Sequence, residues 1–353
     1  MNDQTRNIQH RLEFIGFPPG ELRRCIELAQ KRAWAEVFSE RAVAWAQRAQ
    51  AAKDAYQTVT ALQLYRWAAV AYHAAAFEFH LRVDPSDMLE TITVLRKRAV
   101  ECYYDAMSLA PSLGELVKVG SSRRNVNGLL RRTETAPQSL IVLVNGLDSL
   151  MELELQRFGD EFLARGISTL SVDLPAGCKA WSAAERLDLV GFGVDLAQWA
   201  TVNYGITSIG VFGVSYGGNT AARLLASSPH FCAAVAVSPP GFFGQKELAV
   251  TRLAQMFRWS FGITFQEDVS KLAQSIDISN CPRPNGPLML VEMSEDALFG
   301  SEHTQSYMKW ANGSCIPTRF PGEHVGTSTM HAWLPQTCDW LVSQVEQRSR
   351  QCL

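Results

Sequence analysis

The chain has 353 residues, 47% of them hydrophobic and 19% charged. That is enough apolar material for a large core, excludes a disordered tail, and at about 150 residues per domain makes two domains or one large one. Lys and Arg number 33 against 35 Asp and Glu, for a net charge of −2, so no basic excess is present to neutralise phosphates and nucleic acid is excluded as the main partner.

The polar start, Met-Asn-Asp-Gln-Thr-Arg, leads into no apolar stretch, so no secretory signal is expected. From Glu21 to about Leu109 the chain is rich in Ala, Leu, Arg, Gln and Glu, and apolar residues recur at helical spacing: Trp34, Val37, Phe38 and Ala42, then Leu62, Tyr65, Ala69 and Tyr72. Ser86 reads as an N-cap, with Glu90, Leu89, Ile92 and Leu95 beyond it. The expectation is an all-helical segment of three to five helices. Its aromatic residues Trp67, Tyr72, Phe77 and Phe79 either pack between helices or line a substrate cavity. Near residue 115 the pattern changes, and the boundary falls between a segment 1–114 and a second domain 115–353. Only Pro111-Ser112-Leu113-Gly114 joins the two, too short for a free tether.

After the boundary, β-rich runs are predicted at 116–119, 140–144, 167–172, 209–214, 233–237, 288–292 and 316–320. Helical patterns alternate with them at 150–164, 181–202, 219–227, 247–257 and 303–311. Apolar runs interleaved with helices predict a mostly parallel sheet covered on both faces. The uncharged stretch 196–222 is long enough to span a bilayer. Its glycines at 205, 210, 213, 217 and 218 and its alternation from Ser208 predict a buried strand running into a helix, so no membrane partner is expected. The eight cysteines are scattered singly with no CxxC pair, which reads as reduced thiols in a cytoplasmic protein rather than a disulfide framework or zinc site.

The strongest chemical signal is Gly213-Val214-Ser215-Tyr216-Gly217, followed by Gly218. It leaves an apolar strand and enters a helix, the context in which G-x-S-x-G presents a strained, exposed serine at a helix N-terminus. A serine hydroxyl is a weak nucleophile and needs a base and a group to orient that base. Both are expected from loops after later strands. The run 288–292 empties into Ser294-Glu295-Asp296-Ala297, where Asp296 is preferred over its neighbour Glu295. The last run is followed by Pro321-Gly322-Glu323-His324, which makes His324 the base, with His331 its only rival among seven histidines. Oxyanion donors are expected from the backbone N–H groups of Tyr216 and, after the 140–144 run, Leu147. Asp148 either caps the following helix or contacts substrate. Phe242 and Phe243, in Pro239-Pro240-Gly241-Phe242-Phe243, are expected over the site.

Residues 115–345 resemble an α/β-hydrolase. Asn-Gly-Leu-Asp-Ser at 145–149, Asp-Leu-Pro-Ala-Gly at 173–177 and the helical N-terminal segment narrow this further. They resemble the group that holds 2,6-dihydroxypseudooxynicotine hydrolase, fermentation-respiration-switch-type esterases and fungal polyketide transferases. That group often has Gly where Asn145 stands and Leu where Tyr216 stands. The resemblance implies a helical N-terminal lid that also supports homodimers. It also implies esterase, C–C hydrolase or acyl-transfer chemistry. The resulting expectation is a cytoplasmic serine hydrolase in which Ser215, Asp296 and His324 act on an ester, thioester or β-diketone. The alternative is an acyltransferase or cyclase using the same residues on a carrier-protein-bound or polyketide acyl group. A binding protein that keeps the fold without the chemistry is the third reading. No metal cluster and no nucleotide-binding glycine loop is evident in the sequence, so no cofactor is implied.

Overall fold

The apolar runs of the second half form one sheet in a computed structural model that describes residues 3–82, 88–122, 124–174, 188–244, 247, 251–261 and 276–351. The N-cap expected at Ser86, residues 175–177 of the rim loop, the first residues of the helix expected from 181, and Cys178 and Cys352 lie outside the described residues. The chain divides into two units, Met1–Gly114 and Glu115–Leu353.

The first unit is helical: α1 (Asp3–Phe14), α2 (Pro19–Ala29), α3 (Trp34–Asp54), α4 (Thr58–Ala76), the single turn α5 (Glu78–Leu81) and α6 (Leu89–Leu109). The periodicity at 34–42 and 62–72 marks α3 and α4, whereas α1, ahead of Glu21, was not expected. Alanines at 61, 68, 69, 71, 74 and 75 of α4 are fully or almost fully buried, which lets neighbouring helices approach closely. Trp34 stacks on Phe38 at 4.4 Å and donates its indole N–H to the Ala74 carbonyl. Trp67 lies against Trp45, Phe77 against His73 and beneath Arg11, and Tyr72 beneath Arg98. These aromatic side chains therefore have packing partners within the helical unit.

In the second unit the strands are β1 (Glu115–Gly120), β2 (Asn125–Arg131), β3 (Ser139–Val144), β4 (Ser168–Val172), β5 (Ser208–Val214), β6 (Phe231–Val237), β7 (Leu288–Met293) and β8 (Cys315–Phe320). They form an eight-stranded sheet in the order β1-β2-β4-β3-β5-β6-β7-β8. From β4 to β8 every pairing is parallel, while β1, β2 and β4 pair antiparallel at one edge. β2 is the strand that periodicity missed. Asn125, Asn127 and Gly128 interrupt its apolar run, and at Gly128 a Cβ would meet Val119 at 2.7 Å and Leu170 at 3.0 Å.

The helices of this unit are α7 (Glu154–Leu163), α8 (Leu189–Tyr204), α9 (Tyr216–Leu225), α10 (Thr251–Phe261), α11 (Ser301–Ala311) and α12 (Met330–Gln351). One sheet face packs Val142, Val144, Ile209 and Val211 against Phe192, Leu196, Leu224 and Trp310. On the other, Phe212 meets Phe158 and Phe162 of α7 and Trp333 of α12. β3, β4 and β5 are buried along their whole length, which is why they read as continuous apolar runs. Stretch 196–222 is the end of α8, then β5 and most of α9, and among the described residues no helix is long and apolar enough to cross a membrane. The six described cysteines are unpaired.

Two expectations need correction. The helix expected from residue 150 begins at Glu154, with Leu153 at its N-cap and no side-chain cap, so Asp148 does not cap it; instead the buried Glu154 carboxylate accepts the Leu150 N–H at 2.9 Å. α12 was not expected, since Pro335 interrupts its sequence pattern.

Candidate active site

Parallel strands deliver their following loops to one edge of a sheet, where ligands bind in such folds. Ser215 sits in the turn from β5 into α9 with φ 54° and ψ −128°, a conformation that costs on the order of 1–3 kcal/mol for a residue other than glycine. Glycines around it make the turn possible. A Cβ at Gly213 would collide with the Gly217 carbonyl, and one at Gly217 with the Val144 carbonyl. The Ser215 N–H donates to Val237 O at 2.8 Å, which ties the turn to β6.

Asp296 follows β7 and His324 follows β8. Their side chains meet Ser215: His324 Nε2 lies 2.9 Å from Ser215 Oγ, and His324 Nδ1 lies 2.8 Å from Asp296 Oδ2. An ionised carboxylate only accepts, so Nδ1–H donates to Asp296 and the neutral ring accepts the serine proton at Nε2. The other carboxylate oxygen accepts from the N–H groups of Leu298 at 2.9 Å and Phe299 at 3.0 Å. The Asp296 side chain is 1% exposed. Burial alone would raise its pKa, but His324 and the two backbone donors outweigh it and hold the carboxyl below the usual range. Glu295, the rejected neighbour, is exposed, and so is His331 on α12.

The His324 loop is itself strained. Val325 has φ 71°, rare for a β-branched residue, and its N–H donates to Ser238 Oγ at 3.1 Å. Ser238 directly follows β6 with φ 46° and donates its own N–H to Val291 O on β7. Neither this serine nor Phe299, whose ring lies edge-on to His324 at 5.2 Å, was singled out from sequence. Their position just beyond the ends of β6 and β7 was the available signal.

Leu147 and Tyr216 are both buried beside the nucleophile's turn. A Cβ on Gly146 would stand 3.5 Å from the Ser215 Cβ, so the 145–147 loop lies directly against it. Asn145 ties this loop to the next one. Its Oδ1 accepts the Leu174 N–H at 3.0 Å, and its Nδ2 donates to Ser149 O at 3.2 Å and Asp173 Oδ1 at 3.4 Å. Asp148 is half-buried in the same turn. Phe243 is buried between Phe257 and Phe299, one ring away from His324, whereas Phe242 stacks on His303 at 4.4 Å.

Among the described residues Glu247, Glu302 and His303 bring one potential ligand atom each within 4.8 Å of one another. The Gly241 N–H donates to His303 Nδ1 at 3.2 Å, which puts the ring proton on Nε2, 3.7 Å from Glu247 Oε1. A metal would need the Nε2 lone pair, so this arrangement fits a carboxylate–histidine pair better than a metal site.

A family model described as Esterase FrsA-like matches residues 29–242, a span that includes Ser215 and ends before Asp296 and His324. No curated sequence matches significantly. Among solved structures, the chain is similar to 2,6-dihydroxy-pseudo-oxynicotine hydrolase at 18% identity, with 95% of each chain covered and a TM-score of 0.81. It is also similar to AbyA5, at 16% identity over 88% of each chain with a TM-score of 0.60. The esterase Pf2001 of Pyrococcus furiosus aligns at 21% identity over 66% of this chain and 91% of that one, with a TM-score of 0.51. These likenesses identify the α/β-hydrolase fold.

Proposed function

The chain belongs to the FrsA-like esterase family, and from that premise we propose that it is a serine hydrolase acting by acyl transfer through Ser215, His324 and Asp296. The observation that carries this reading is the hydrogen-bonded line from Ser215 Oγ through the His324 ring to Asp296, 2.9 Å and 2.8 Å in its two steps. Ser215 Oγ attacks the carbonyl carbon as its proton passes to His324 Nε2. Asp296 holds the ring in the accepting tautomer and stabilises the imidazolium. The oxygen that becomes negative is met by the N–H groups of Leu147 and Tyr216. The imidazolium then protonates the leaving group, and a second nucleophile, water in the hydrolytic case, releases the acyl group by the same steps in reverse order.

The substrate proposed is a medium-sized, partly apolar ester, thioester or β-diketone, with Asp148, Phe242 and Phe243 as contacts. The rings of Phe243, Phe257, Phe261 and Phe299 near Ser215 and His324 support an apolar acyl site. The same rings favour a second reading, transfer to an alcohol, amine or carrier-bound partner, because an apolar surround lowers water activity at the acyl-enzyme. The reading takes the enzyme to be a cytoplasmic homodimer whose helical N-terminal unit governs access for bulky substrates. The 2,6-dihydroxypseudooxynicotine hydrolase likeness makes C–C cleavage a substrate class worth including in the assay.

The deciding experiment sets p-nitrophenyl esters, acyl-thioesters and an aryl β-diketone against the enzyme, with and without added alcohol or amine. Turnover that needs only water supports hydrolysis; a burst followed by acceptor-dependent turnover supports transfer. Failure of every substrate, together with no labelling of Ser215 by a fluorophosphonate, would refute both.

A further inference from the structure

One face of α10 touches both residues assigned to the oxyanion site. Ser260, fully buried, donates its Oγ–H to the Leu147 carbonyl at 2.8 Å. Phe257 and Phe261, stacked on each other at 5.4 Å, both present their faces or edges to Tyr216, at 5.8 Å and 5.6 Å and nearly perpendicular to it. Positions 257, 260 and 261 stand three and four residues apart and so share a helical face. Leu147 lies in the loop after β3 and Tyr216 at the start of α9 after β5, and α10 contacts both.

We propose that Ser260 is a positioning residue that fixes the carbonyl of the Leu147–Asp148 peptide and so sets the backbone angles of Leu147, whose N–H in the preceding peptide faces the oxyanion, with α10 as the brace across both donors. This rests on the reading of Leu147 and Tyr216 as oxyanion donors. Leu147 follows Gly146, which has no side chain to anchor it and packs closely on the nucleophile. Asn145 and Glu154 anchor the turn on either side of Leu147, and the Leu147 carbonyl is the handle by which the donor residue itself is fixed. Donors at an oxyanion site act because they are already oriented when charge develops, so their orientation matters in the transition state and little in the ground state. Removing one such donor costs about 10²–10³-fold in kcat; loosening it by removing the Ser260 hydroxyl should cost about tenfold.

The test uses the full chain and two ketones of the same acyl group. A trifluoromethyl ketone adds to Ser215 and develops the oxyanion, while the matching methyl ketone occupies the site without that charge. In Ser260→Ala, kcat on a p-nitrophenyl ester and affinity for the trifluoromethyl ketone should both fall about tenfold. KM and methyl ketone affinity should stay within about twofold, the pattern of an interaction made only in the transition state. Ser260→Cys keeps a similar volume with a weaker donor, and should show the same pattern with a smaller loss; it is the variant to use if the alanine form does not fold. Wild-type affinity ratios for the two ketones in whichever variant folds would overturn the proposal, as would equal losses for both. If the wild-type enzyme itself does not distinguish the two ketones, the hydrolase reading fails and this inference with it. If only the variants behave as wild type, this inference alone fails.

Discussion

Replacing Asp296 with Asn separates orientation from shape at the candidate site. The Asn side chain is nearly isosteric, and its oxygen can still accept from the Leu298 and Phe299 N–H groups that hold the turn. Its amide nitrogen then stands where Oδ2 was, 2.8 Å from His324 Nδ1, and donates to it. The ring must respond by carrying its proton on Nε2, which faces Ser215 Oγ and can no longer accept. The Asp296 side chain is 1% exposed, so water does not stand in for the lost carboxylate. The expected loss is about 10⁴-fold in kcat, or about 5 kcal/mol at 1.36 kcal/mol per tenfold. The measurement is kcat/KM on an activated ester, the rate of fluorophosphonate labelling and a melting curve. A folded Asn variant within tenfold of wild type on both rates would refute the orienting role. The same variant carries a pH signature. The native Asp296 pKa lies below its ordinary value, so the carboxylate contributes stability that is complete above about pH 4. That contribution is lost as pH falls through the lower native value. The wild-type advantage in Tm over the Asn variant should thus hold at neutral pH and shrink on acidification below about pH 4. An advantage that does not change with pH would show that the carboxylate's ionisation plays no part in stability.

Ser215→Ala should abolish fluorophosphonate labelling with little change in Tm, and Ser215→Gly should be more stable to unfolding than the alanine form by roughly 1 kcal/mol, since φ 54° is strained for any residue with a Cβ; equal stability would remove the strain argument. His324→Ala should lose at least about 10³-fold in kcat while exposed His331→Ala stays near wild type, and equal losses at matched stability would reassign the base. A chain begun near residue 112 should show a raised KM for bulky esters and little change for small activated ones, whereas wild-type kinetics on both would leave the helical unit no part in substrate access. Gly217→Ala should yield no folded enzyme, because its Cβ would collide with the Val144 carbonyl and stand 2.7 Å from the Asn145 carbonyl; a stable variant would contradict the turn geometry.

The nucleophile's turn was legible because its causes are local. An apolar strand, three small glycines and a following helix all lie between Ser208 and Leu225, and sterics at Gly213 and Gly217 leave that segment little choice. β3 and β5 were equally plain, since strands buried on both faces must be apolar throughout. The order Ser215, Asp296, His324 followed from taking the end of each later strand in turn. What the chain order did not contain is which other side chains hold those loops in place. β2 escaped notice because its packing partners Val119 and Leu170 demand a glycine where periodicity asks for an apolar residue. Asp148 looked like a helix cap until α7 began several residues later, with Glu154 serving the loop instead. Asn145 bridging to Leu174, Ser238 holding Val325, and Ser260 reaching Leu147 from 113 residues away join segments with no sequence relation to one another. Those contacts depend on the order β4-β3-β5-β6-β7-β8. Local sequence sets each strand and turn through propensity and sterics over a few residues, but strand order is set by packing the whole sheet between its helices, and only that packing brings the loops into register.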